Sequence, residues 1–139
     1  MTLSRGEDTI VLAGVDDPNG PRDQKTPEAL LGEIHAENPD AYTIVLCHRN
    51  DQLERMARLS ADLVLSGHAH GGQFRIPFIG GFVAPDQGFL PAYTEGVFHE
   101  KDTDLVISRG LGNSVIPIRL LNRPELVKVT LYSKNQKQQ

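Results

Sequence analysis

The chain has 139 residues, a formal net charge of −4 and 23% charged side chains. No basic cluster is long enough to read as a nucleic-acid footprint, so nucleic acid is not an expected partner. No long apolar run and no charged-then-apolar start occurs, which argues against a transmembrane segment and a secretory signal in this chain.

With 39% hydrophobic residues, 13 glycines and 9 prolines the chain is loop-rich. A compact chain of this length still buries about two-thirds of its unfolded surface, enough for a core. The lone cysteine, Cys47, excludes an internal disulfide and fits a reducing, cytoplasmic setting. No internal repeat or domain linker interrupts residues 1–139.

In chain order, residues 9–13 read as a strand ending at the turn Asp16-Asp17-Pro18. A helix is expected over 26–37, opened by Pro27 at its first position. Residues 42–46 form an apolar, β-branched strand running into Cys47-His48, and alternation turns Cys47 away from His48 as a buried small hydrophobe. Asp51 is placed to cap a helix over 52–59. A buried strand over 62–66 then runs into Gly67-His68-Ala69-His70-Gly71-Gly72-Gln73.

Residues 74–89, dense in glycine and proline, read as a long active-site or substrate loop. Its apolar Phe74, Phe78, Ile79 and Phe82 are expected to pack on the sheet, although a lipid-like substrate would need such a surface. Residues 96–99 against 105–108 form an antiparallel hairpin, and 126–131 alternate as a final strand. The polar tail 134–139 is expected to fray, and His35 and His99 read as solvent histidines.

Two consecutive strands thus deliver histidines at their C-terminal ends. If they are parallel neighbours joined by one helix, His48 lies beside His68 and His70, outside the strand ends where open α/β sheets bind ligands. In an extended chain His68 and His70 face one way, with α-carbons about 6.6 Å apart. That spacing suits two ions, one per imidazole, or a single ion chelated by both. An isolated His-x-His is more often a solvent pair, but the bracketing Gly67, Gly71 and Gly72 permit close backbone approach to a ligand. Arg75 and Arg109 offer guanidinium forks to phosphate oxygens or, equally, surface salt bridges.

Leu65-Ser66-Gly67-His68-Ala69-His70-Gly71-Gly72-Gln73-Phe74-Arg75-Ile76-Pro77 resembles the calcineurin-like metallophosphoesterases, in particular a bacterial branch of membrane-associated phosphodiesterases and UDP-diacylglucosamine pyrophosphatase-like enzymes. Gly14-Val15-Asp16-Asp17-Pro18 and the closing Ser108-Arg109-Gly110-Leu111-Gly112-Asn113-Ser114, Pro117-Ile118-Arg119 and Arg123-Pro124-Glu125-Leu126 are similar to the same branch.

The resemblance implies an α/β (α+β) fold, the C-terminal half of a four-layer α-β-β-α sandwich. It implies a metal-dependent phosphoesterase with two divalent ions (Mn, Fe, Zn or Ni), His48 and His68 binding one and His70 the other. The substrate would be a phosphoester, with a lipid-linked one among the options, and the full-length protein would be membrane-peripheral. The family's Asp-x-His, Gly-Asp-x-x-Asp and Gly-Asn-His motifs are absent. Asp16-Asp17 and Gly112-Asn113 do not replace them, and close relatives usually carry a proline where Asn50 stands. Residues 1–139 therefore read as a single partial domain whose metal site is at most partly occupied, and whose open apolar face favours homo-oligomerisation or pairing with the missing half. The alternative is a catalytically silent half-domain that binds at most one metal.

Overall fold

The computed structural model describes residues 1–21, 23–84, 87–113 and 118–133. The chain opens with a hairpin. Strands β1 (Thr2–Arg5) and β2 (Asp8–Val15) pair antiparallel around Gly6-Glu7, with Arg5 opposite Asp8. Gly6 supplies the positive φ, +64°, that a two-residue hairpin loop requires. The strand expected over 9–13 is the middle of β2. All four residues of β1 are exposed, so no apolar alternation announces this edge strand.

Helix α1 (Pro27–Glu37) carries the chain to β3 (Tyr42–Cys47), which lies parallel to β2. Thr26 caps α1 by accepting the Ala29 N–H at 3.3 Å, and Pro27 stands where a missing N–H costs nothing. Helix α2 (Leu53–Arg58) leads to β4 (Leu63–Ser66), parallel to β3. Asp51 does not cap it. Gln52 holds the cap position with no side-chain cap bond, and the Asp51 carboxylate accepts from the Gln52 amide instead, because the helix begins one residue later than expected.

After a single 3-10 turn at His70–Gly72, the expected loop over 74–89 contains two short ladders. These are β5 (Arg75–Ile76) with β6 (Gly80–Gly81), and β7 (Val83–Ala84) with β8 (Gly88–Phe89). The expected hairpin forms from β9 (Gly96–Glu100) and β10 (Thr103–Ile107). The main sheet has the order β1-β2-β3-β4-β10-β9, with β2, β3, β4 and β10 parallel.

No strand forms over 126–131. Leu126, Val127, Val129 and Leu131 are all exposed, and the segment pairs with no strand among the described residues. Alternation marks it as able to join a sheet, but a strand exists only where a partner accepts its backbone bonds. Ser114, Pro117 and the tail 134–139 lie outside the described residues.

The period of two sorts the sheet into unlike faces. Val45, Cys47, Val64, Leu105 and Ile107 pack against Leu31 of α1 and Leu53 and Met56 of α2 in one buried cluster. On the other face Leu46, Leu65, Val106 and Val97 stand in one cross-strand row. Its ends remain open, Leu46 being 45% and Val97 69% exposed. A mixed sheet backed by helices on one face and apolar on the other matches half of a four-layer α-β-β-α sandwich.

The two helices are tied together by Glu28, whose carboxylate accepts both Arg55 Nε and Nη2 at 2.8 Å. The Arg55 guanidinium holds the Glu28 carboxyl down from the ordinary 4.5 to about 2. A depressed carboxyl contributes stability above its unfolded value that is lost as pH falls through the folded one. Glu28→Gln is therefore expected to lower stability at neutral pH by up to about 1 kcal/mol, since both groups are solvent-accessible. The gap between the variant and the parent should close as pH falls from about 4.5 towards about 2, as followed by denaturant melts.

Candidate functional site

Strands β2, β3 and β4 end level with one another, with Val15 opposite Cys47 and Cys47 opposite Ser66. The residues that leave these three strands therefore meet at one sheet edge. A cleft of about 460 Å³ lies there, lined by Gly14 to Asp16, Leu46 to His48 and Leu65 to Gly67. The rings of His48 and His68 approach to 4.3 Å between centroids, tilted by 57°. The Ser66 hydroxyl donates to the His48 carbonyl at 3.2 Å and fixes the two strand exits together.

His68 and His70 do not sit in extended chain. β4 stops at Ser66, His68 and His70 take φ of +65° and +48°, and Ala69 between them is right-handed helical. The same-side argument applies only within a strand, so the pair is presented by a turn rather than by a pleat. Positive φ continues through Gly71, Gly72 and Gln73. Gly72 is required, because a Cβ there would overlap the Gly81 backbone as well as meeting a φ of +77°.

This strained turn is strapped from outside. Asn122, 3% exposed, donates its amide to the His70 carbonyl at 2.6 Å and to the Gln73 carbonyl at 3.2 Å. Phe74 bridges Leu120 in parallel, and the Arg75 N–H reaches the Leu120 carbonyl at 3.0 Å. Burial first, then the Arg119 and His68 charges, push the His70 imidazole below its ordinary value.

Asp17, which the sequence motifs leave without a role, lies 3.5 Å from His48 Nε2. Its Oδ1 accepts the Asn19 N–H at 2.8 Å and Arg49 Nη2 at 3.1 Å, and these hold the carboxyl below its usual range. Arg75 and Arg109 occupy ion pairs instead of an open anion fork. Arg75 meets Glu95, and Arg109 meets Glu95 at 3.0 Å and Glu125 at 3.1 Å. His99 pairs with Asp104 at 2.9 Å, and His35 closes α1, both away from the cleft. Cys47 is buried, and burial raises its thiol, as for a packing residue.

The donors fit a divalent metal in kind. A metal-binding imidazole ordinarily gives its other ring nitrogen to a carboxylate or carbonyl, and here Asp17 neighbours His48. In number they are short. Among the described residues no group of three or more His, Cys, Asp or Glu is placed to hold an ion.

The chain is 38% identical over 118 residues to YkuE of Bacillus subtilis strain 168, an uncharacterized metallophosphoesterase, covering 77% of this chain and 41% of that one. The chain belongs to the calcineurin-like metallophosphoesterase family. An uncharacterized metallophosphoesterase of Aquifex aeolicus is 32% identical over 132 residues, 90% of this chain and 46% of the relative. The phosphodiesterase YaeI of Escherichia coli K12 is 36% identical over 88 residues, 63% of this chain and 32% of that one. The chain thus spans under half the length of these curated relatives, which fits a C-terminal half. No protein-family model matches it, and no solved structure does. Membership of this family implies a divalent-metal cofactor in general terms. Among the described residues no helix is long and apolar enough to cross a membrane.

Proposed function

We propose that this chain carries the histidine side of a two-metal phosphoesterase centre, with His48, His68 and His70 as nitrogen ligands. The observation that carries the reading is the close approach of His48 and His68 at the level ends of three parallel strands. Divalent ions, when bound, supply Lewis-acid stabilisation of the attacking and leaving oxygens in phosphoester hydrolysis. The chain's own contribution is orientation. Asp17 faces the His48 ring, and Asn122 fixes the backbone of the turn that carries His70. In this reading Arg75 and Arg109 organise loops around Glu95 and Glu125, because both guanidiniums are already matched by carboxylates. The substrate class is a phosphoester, and a reducing, cytoplasmic location agrees with the free, buried Cys47.

One observation favours a second reading, a half-domain that binds at most one metal and is silent alone: no three-donor group stands among the described residues. The test is hydrolysis of bis(p-nitrophenyl) phosphate with added Mn, beside the metal content of the purified chain. Activity that disappears in the His48, His68 and His70 alanine variants supports the phosphoesterase reading. Bound metal without activity supports the second. Activity or metal content unchanged in all three variants overturns both.

A further inference from the structure

Residues 126–132 read Leu-Val-Lys-Val-Thr-Leu-Tyr, all of them exposed, and none makes a backbone hydrogen bond among the described residues. In strand geometry Val127, Val129 and Leu131 share one side, with Lys128 and Thr130 on the other. A second set of unused backbone groups lies on β9, the outermost strand of the main sheet, which pairs with β10 alone. A two-residue loop closes on a doubly bonded pair, so Gly96, Phe98 and Glu100 bond β10, while Val97 and His99 turn N–H and C=O outward. Such an edge accepts one more strand. We infer that a second copy of this chain supplies it: residues 127–131 of one copy pair antiparallel with β9 of the other, and the exchange is reciprocal about a two-fold axis.

One register satisfies the side chains on both faces. With Leu131 opposite Val97 and Val129 opposite His99, the apolar side prolongs the row Leu46, Leu65, Val106 and Val97 and covers its 69% exposed end. The same register puts Thr130 beside Phe98 and Lys128 beside Glu100. Neither Lys128 nor Glu100 has an ion pair among the described residues, and here each gains an opposite charge. A slip by one residue turns Lys128 onto the apolar row, and a slip by two parts it from Glu100. The donor cannot be the same chain's own end. Glu125 is pinned beside the Gly96 end of β9, its N–H on the Gly110 carbonyl and its carboxylate on Arg109, because β10 leaves the sheet there with Ile107 opposite Gly96. In this register residue 125 lies three residues past the Glu100 end, on the order of 20 Å away.

Sedimentation equilibrium of the full chain is expected to give a dimer. Lys128→Glu and Glu100→Lys should each weaken it about tenfold, because every dimer holds two such pairs. The double variant should return to within about threefold of the parent. Val129→Pro removes the N–H offered to His99 at a position where the monomer has no backbone bond to lose, so it should leave a monomer. If Glu100→Lys does not fold, Lys128→Glu and Val129→Pro decide the matter. A parent chain that sediments as a monomer overturns the inference. So does a dimer that Val129→Pro leaves intact, or a double variant no tighter than either single one.

Discussion

Replacing His68 and His70 together with alanine is expected to abolish stoichiometric divalent-metal binding, while His35→Ala and His99→Ala leave it unchanged. Loss of a mere hydrogen-bond partner behind a ligating histidine costs about 10–100-fold in metal affinity, so removal of two ligands exceeds that range. The controls are informative because His99 is engaged with Asp104 on the β9–β10 hairpin and His35 closes α1, so that nonspecific surface imidazole binding would respond to them. Equilibrium dialysis with elemental analysis of manganese and zinc measures all four proteins. Binding that survives in the double variant removes both residues from the site.

The largest expected effect on stability belongs to Asn122→Ala. The Asn122 amide serves two carbonyls of a turn in which His70 and Gln73 hold φ of +48° and +47°. Non-glycine residues in that region cost about 1–3 kcal/mol each and persist only where surroundings enforce them. Alanine leaves two carbonyls without their donor, at about 1–3 kcal/mol for each that stays buried. A loss of about 2–4 kcal/mol is expected, a large share of the roughly 5–15 kcal/mol of a typical domain. Asn122→Asp keeps the shape but turns oxygen towards both carbonyls, so it should be at least as damaging. Urea melts of the three proteins give the comparison. A midpoint for Asn122→Ala equal to the parent's would show that the turn is held by other contacts.

Much of this arrangement is legible in the residues, for identifiable reasons. β3 and β4 are short apolar runs ending in polar turn residues, so their existence and the histidines at their exits can be read directly. Their parallel pairing then follows from the intervening helix, which explains why His48 and His68 meet. Asp17 lies in the Gly14–Pro18 run that is similar to the family branch, but that similarity assigns it no role, and only the sheet topology brings it to His48. Once β2 pairs with β3 in parallel, the residues after Val15 and Cys47 share an edge.

The turn geometry is hidden because strand periodicity carries no information past Ser66, where the backbone changes hand at His68. β1 is hidden for the opposite reason, since an edge strand open to solvent needs no apolar pattern. Its one signal is the glycine at the first position of a two-residue loop. Asn122 and Arg119 act on backbone carbonyls, and neither residue type at those positions announces that task.

Whether imidazoles of this chain bind a divalent metal is tested most directly by X-ray absorption at the zinc edge of the zinc-loaded chain. Imidazole rings give a distinctive outer scattering pattern beside directly bound nitrogen at about 2.0–2.1 Å. At least two imidazole ligands are expected, reduced in number in His68→Ala. A coordination sphere with no imidazole scattering, unaltered by that substitution, would contradict metal binding by these histidines.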